Sequence, residues 1–156
     1  MKKVLTFAFA VMLVMSLSVT AFAANTTGGE ADITTSIDPT YTVTIPADVN
    51  VAFNATETAF GTIEVTASQI HPDKCIKVAL ATDKELNNAI DNTKVIPYAI
   101  KDSEGAEFTS ATYLTEGDKT ELSIHITAND WNAAYAGDYS DTVTFTVSYE
   151  DKAANN

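Results

Sequence analysis

The chain has 156 residues, 46% hydrophobic and 19% charged, with one cysteine and a formal charge of −12. That length fits one domain, and the apolar content excludes an acidic disordered chain. It has no arginine, and nine lysines face 21 carboxylates, so a nucleic-acid partner, which needs a cationic stripe to displace counterions, is excluded and anionic lipid surfaces are disfavoured.

The first residues read as an export signal. Met1-Lys2-Lys3 is a positive start, Val4 to Val19 is an almost continuous apolar run, and Ala21-Phe22-Ala23 is a small-x-small cleavage site. A run of that length is short for a membrane span. The pattern predicts a cleavable signal helix over 1–23, a flexible lead over 24–30 carrying Gly28-Gly29, a β-sandwich domain over 31–150 and a polar tail over 151–156. Removing 23 of the 156 residues leaves 133, with seven lysines against 21 carboxylates and a formal charge of −14. The expectation is a secreted bacterial protein without an integral membrane span after cleavage. It has no cysteine at the cleavage site for a lipid and no Leu-Pro-x-Thr-Gly sorting signal, so any surface association is expected to be non-covalent.

The mature sequence alternates with period two, Val, Ile, Phe and Tyr against Thr, as half-buried antiparallel strands do. Ala31, Ile33 and Ile37 alternate with polar residues behind the Gly28-Gly29 lead, which makes residues 31–37 either the first strand of the domain's own sheet or a strand offered to a neighbour's open edge. Tyr41, Val43 and Ile45 share one face, Pro46-Ala47-Asp48 turns the chain, and Val49, Val51 and Phe53 follow in the same parity. Ile63, Val65 and Ala67 form a third set, with Phe60 out of step and Gly61 marking a bulge. Ile76, Val78 and Leu80 form a fourth, which places Cys75 with Lys77 and Ala79 on the less apolar face. Cys75 reads as a small strand hydrophobe or as an intermolecular bridge or reactive thiol.

Residues 83–92 are the one stretch read as a helical turn. Ile96, Tyr98 and Ile100 alternate around Pro97, whose missing N–H suits an edge strand or a bulge. After the Asp102-Ser103-Glu104-Gly105 turn, Phe108, Tyr113 and Leu114 continue an extended stretch. Leu122, Ile124 and Ile126, then Val143, Phe145, Val147 and Tyr149, are the cleanest strands. Between them lies an aromatic loop with Trp131, Tyr135 and Tyr139. These rings read either as a stacking platform for a sugar or as packing, with Trp131 closing the end of the sandwich and Tyr139 bonding across a corner.

No catalytic frame emerges. There is no Gly-x-Ser-x-Gly elbow, His125 sits in an alternating strand, and His71, Asp73 and Cys75 stand at alternate positions without a second cluster to complete a metal site. Asp130, Asp138, Asp141, Asp83, Glu85 and Asp91 do not follow a calcium-loop spacing. We therefore expect no catalytic residues, no metal and no cofactor.

Ala136-Gly137-Asp138-Tyr139-Ser140-Asp141-Thr142-Val143-Thr144-Phe145-Thr146-Val147 resembles the closing strand of spore coat protein U-like and fimbrial-adhesin-like secreted sandwiches. Tyr41-Thr42-Val43-Thr44-Ile45-Pro46 resembles the opening strand of exported Gram-positive surface proteins. About seven to nine short strands at this spacing, with no long helical pattern, argue for an all-β fold, a single antiparallel β-sandwich, and the resemblance implies that it is immunoglobulin-like or pilin-like and used in adhesion or surface assembly. The expected function is a secreted, non-enzymatic cell-surface structural or adhesion module, self-associating by strand addition through Ala31, Ile33 and Ile37, with other protein subunits or a host or cell-surface ligand as partners. The alternative is a carbohydrate-binding module that uses Trp131, Tyr135 and Tyr139.

Overall fold

The computed structural model describes residues 32–153; the expected signal over 1–23, the lead over 24–30, Ala31 and residues 154–156 lie outside the described residues. The chain divides into two units at Thr35/Ser36, and every described strand belongs to Ser36–Asn156. The strands are β1 (Thr40–Thr44), β2 (Glu57–Gln69), β3 (Lys74–Ala81), β4 (Glu85–Asn88), β5 (Val95–Pro97), β6 (Ala99–Asp102), β7 (Ser110–Tyr113), β8 (Lys119–His125), β9 (Tyr139–Ser140) and β10 (Thr144–Asp151), with one short helix, α1 (Ala128–Ala133). The fold is all-β and sandwich-like, built from antiparallel sheets.

A first sheet runs β1-β2-β8-β6, a second β10-β3-β7 and a third β5-β4-β9. The first two bury their apolar faces against each other: Ile63, Val65, Ile100, Leu122 and Ile124 from the first meet Ile76, Val78 and Tyr113 from the second in one core. Tyr41 stacks on Tyr149 and Phe60 packs on Phe145, both pairs crossing between these sheets. The Tyr113 hydroxyl donates to Thr120 Oγ1 at 2.9 Å, tying β7 to β8.

The third sheet is made of strands that change partners. The chain leaves the second sheet after Ala81 to enter β4, crosses from β5 to β6 through Tyr98 alone, and passes from β9 to β10 over Asp141–Val143. The buried Tyr98 is held at this junction. Its hydroxyl donates to the Asp141 carboxylate, Thr82 Oγ1 donates to the same oxygen at 2.7 Å, and the two hydroxyls lie 2.7 Å apart. Burial and then the Asp141 carboxylate push the Tyr98 phenol well above its ordinary range.

Several sequence expectations need correction. There are ten strands among the described residues rather than seven to nine, because the third sheet splits extended stretches in two. The helical turn expected over 83–92 is the strand β4 and the turn to β5. Asn88 Oδ1 accepts from the Ile90 and Asp91 N–H groups, and Asp91 Oδ1 accepts from Thr93, local bonds that Asn and Asp form in turns at the expense of helix. The strand expected over Val49–Phe53 is an irregular loop, and the helix lies instead in the aromatic segment.

Ala67 is exposed, because the β1–β2 register shifts between Thr42 and Val43 and puts Thr66 out of pairing. Cys75 is buried rather than on a poorly covered face: it pairs with Glu150, and its Sγ lies 3.6 and 3.7 Å from the Glu150 and Asp151 carbonyls. The β10 strand runs one residue into the expected tail, to Asp151. The bulge at Gly61 and the edge position of Pro97 stand as read: the β2–β8 register shifts between Ala59 and Gly61, and β5 forms the border of the third sheet.

Candidate functional site

Among the described residues, strand β1 pairs with Glu64–Gln69 only, so the first half of β2 is bound on its β8 side and has no described strand on the other. The cause is local. After Thr44 the chain turns away at Pro46, which cannot donate to a ladder, and Pro46 settles over Gly61, where a Cβ would come within 3.0 Å of the Pro46 Cβ. Gly61 has φ +137°, a conformation open to glycine and strained for other residues. The diverted chain leaves an open groove of about 820 Å³ between the sheets.

Two continuous stretches wall the groove. One is Ile45–Val51, the other Gly137–Val143. Among the described residues, Ile45–Val51 makes no backbone–backbone hydrogen bond and Asp141–Val143 joins no strand. The first wall therefore carries peptide groups without a backbone partner, as at an open sheet edge. The second is already engaged in part, with β9 paired to β4, the Asp138 carbonyl accepting from the Ala89 N–H at 2.8 Å and the Thr142 N–H donating to Asp141 Oδ1 at 2.6 Å. The lining is apolar in its depth, with Phe60, Leu86, Ile96, Ile124 and Phe145, while Asp48, Asn50, Asp138 and Thr142 are exposed along the rim. Asp141 holds the second wall to the core through Tyr98 and Thr82. Gly137 (φ +145°) lets that wall approach the buried Asn88 closely; a Cβ there would stand 2.6 Å from Asn88 Nδ2.

The three aromatics singled out in the sequence take separate positions. Trp131 lines the groove from α1, half-buried, with its indole N–H donating to the Ala55 carbonyl at 2.8 Å and its ring meeting Phe53 edge-on at 5.6 Å. The Tyr139 hydroxyl donates to the Tyr135 carbonyl at 3.0 Å, and Tyr139 also lines the groove. Tyr135 is 63% exposed and has Lys94 Nζ 5.0 Å from its ring centre. Helix α1 is started by Thr127, whose hydroxyl accepts from the Asp130 N–H at 3.2 Å. This Thr-x-x-Asp spacing is a capping pattern that marks the helix in the sequence.

Of the strand-exchange residues, Ala31 lies outside the described residues, Ile33 is 99% exposed and Ile37 67% exposed. Residues 32–39 form no strand. Sequence reading did not assign Phe53, Phe60, Ile124 or Phe145 to a site; the out-of-step Phe60 beside Gly61 was the visible signal.

The histidines sit elsewhere. His71 bonds Asp73 at the surface, holding that carboxyl below its usual range, while Cys75 is turned into the β3–β10 seam. His125 Nε2 lies 2.9 Å from Ser123 Oγ and 3.9 Å from Glu57 Oε1. Nucleophile and orienting carboxylate thus meet the same ring nitrogen, whereas a hydrolytic relay uses opposite ones. Among the described residues, no three His, Cys, Asp or Glu side chains gather to hold a metal, and no helix is long and apolar enough to cross a membrane.

No protein-family model matches the sequence, and comparison with curated proteins finds no relative.

Proposed function

We propose that this protein is an exported, non-enzymatic structural or adhesion module of the cell surface that engages an extended segment of a partner protein in the groove between Ile45–Val51 and Gly137–Val143. The observation that carries the reading is the pairing of one wall, Ile45–Val51, whose peptide groups have no backbone partner among the described residues, with an apolar floor. Strand addition uses both: main-chain hydrogen bonds supply affinity, and alternate side chains entering the floor supply selectivity. The groove's volume also falls within the range of ordinary binding clefts. The mature chain's excess of carboxylates keeps such a module soluble outside the cell. The second reading, a glycan on the aromatic loop, is supported by the exposed ring of Tyr135.

Trp131 is the only tryptophan and lines the groove, so its emission reports occupancy. Short peptides that alternate Ile with Thr are expected to shift that emission saturably, and Ile45→Asp with Val49→Asp to abolish the shift without altering the thermal midpoint by more than a few degrees. Saturable shifts with oligosaccharides and none with any peptide would replace the proposal with the glycan reading.

A further inference from the structure

We infer that the groove's occupant is residues 32–38 of a second copy of this chain, with Ile33 and Ile37 seated on the floor. This rests on the reading of the groove as a strand-binding site and names its partner.

Three observations lead to it. The segment Asp32-Ile33-Thr34-Thr35-Ser36-Ile37-Asp38 forms no strand, and its two large apolar side chains are 99% and 67% exposed. Exposed isoleucines four residues apart, on one side of an extended chain, are a docking feature when a matching apolar surface is present. Second, Ile33, Thr35 and Ile37 fall on one side of an extended chain, so that side offers two branched apolar groups about 13 Å apart, while Thr34 and Ser36 turn outward. Third, the lengths agree: the segment is seven residues long, as are the walls Ile45–Val51 and Gly137–Val143.

Charge sets the limits of the register. Between Asp32 and Asp38 the segment carries no charged side chain, so its uncharged centre meets the apolar floor while both carboxylates remain at the ends in water. The rim carries Asp48 and Asp138, and the two copies repel each other at low ionic strength. Association is accordingly expected to tighten as salt rises, since screening acts on the exposed carboxylates and leaves the apolar contacts unchanged.

The test uses two variants of the whole protein. One, Ile33→Asp with Ile37→Asp, lacks the donor and keeps the groove; the other, Ile45→Asp with Val49→Asp, lacks the groove's lip and keeps the donor. Light scattering after size exclusion is expected to give dimers or longer assemblies for the unaltered protein and monomers for each variant alone. Mixed, the variants are expected to form a one-to-one pair, and a peptide of residues 31–38 to compete with that pair while its Ile→Asp version is at least tenfold weaker. A monomeric unaltered protein at high concentration, or variants that fail to pair while each retains its thermal transition, would overturn the inference. If the 31–38 peptide leaves Trp131 emission unchanged while other Ile/Thr-alternating peptides shift it, the inference falls and the groove reading stands; if none does, both fall.

Discussion

The Tyr98 hydroxyl donates a hydrogen bond to the Asp141 carboxylate, joining two points at which the chain passes from one sheet to another. Thr82, at a third such point, bonds the same carboxylate oxygen. The three crossings are thus fastened together behind the groove wall Gly137–Val143. Removing the phenol in Tyr98→Phe should cost about 1.5–3 kcal/mol, the range for a bond to a charged acceptor. Asp141→Ala should cost more, because it removes the acceptor shared by both hydroxyls and also the one used by the Thr142 N–H. In a double-mutant cycle by urea unfolding, the pair should couple by about 1 kcal/mol or more.

The same phenol makes stability fall at high pH. Its pKa in the folded protein is raised by burial and by Asp141, so the unfolded chain, titrating near pH 10, ionises first. The stabilisation is complete below that pH and diminishes as pH rises toward the folded value. Urea midpoints measured between about pH 9 and 11 should fall more steeply for the unaltered protein than for Tyr98→Phe.

Asp118 acts at the other end of the pH scale. Its carboxylate accepts from the Leu114 and Thr115 N–H groups at 2.7 and 2.9 Å and from the Thr115 hydroxyl at 3.1 Å, and the backbone bonds chiefly hold it below the ordinary Asp range. A lowered folded value means that its contribution is present above the unfolded pKa and is lost as pH falls through the folded one. Asp118→Ala should cost about 1–2 kcal/mol at neutral pH, and the gap to the unaltered protein should close on acidification to about pH 2.

Gly61 shapes the groove through its neighbour. Gly61→Ala combines a strained φ with a 3.0 Å approach to Pro46 and should cost about 1–3 kcal/mol. Gly105, also at positive φ, faces open space, and Gly105→Ala should cost only about 1 kcal/mol. Because Pro46 begins the diverted chain, Gly61→Ala should also weaken peptide binding, whereas Gly105→Ala should leave it unchanged.

Much of the sandwich was legible because its strands alternate strictly: Ile63 and Val65, Ile76 and Val78, Ile96 to Ile100 and Leu122 to Ile126 all lie in the core. The alternation of Val49, Val51 and Phe53 misled, since period two records which residues can be covered and not whether a partner strand is present. At that place the ladder ends because Pro46 and Gly61 divert the chain; the turn at Pro46 and the bulge at Gly61 were each visible, but not that the two meet. The polar stretch read as a helical turn is β4 and the turn to β5, in which Asn88 Oδ1 accepts from the Ile90 and Asp91 N–H groups. The groove itself brings Ile45–Val51 beside Gly137–Val143, stretches far apart in sequence, and no local pattern encodes that approach. Trp131 and Tyr139 were visible as aromatics, but the place each takes depends on Ala55 and Tyr135.

The central claim, that the groove accepts an extended strand, concerns peptide groups more than side chains. Amide hydrogen exchange of Ile45–Val51, measured with and without saturating peptide of residues 31–38, tests it most directly. These amides have no backbone partner in the described structure and should exchange rapidly when the groove is empty. The account predicts that alternate amides of this wall slow at least tenfold on peptide addition, as a ladder forms. Unchanged exchange along Ile45–Val51 under a peptide that demonstrably shifts Trp131 emission would contradict it.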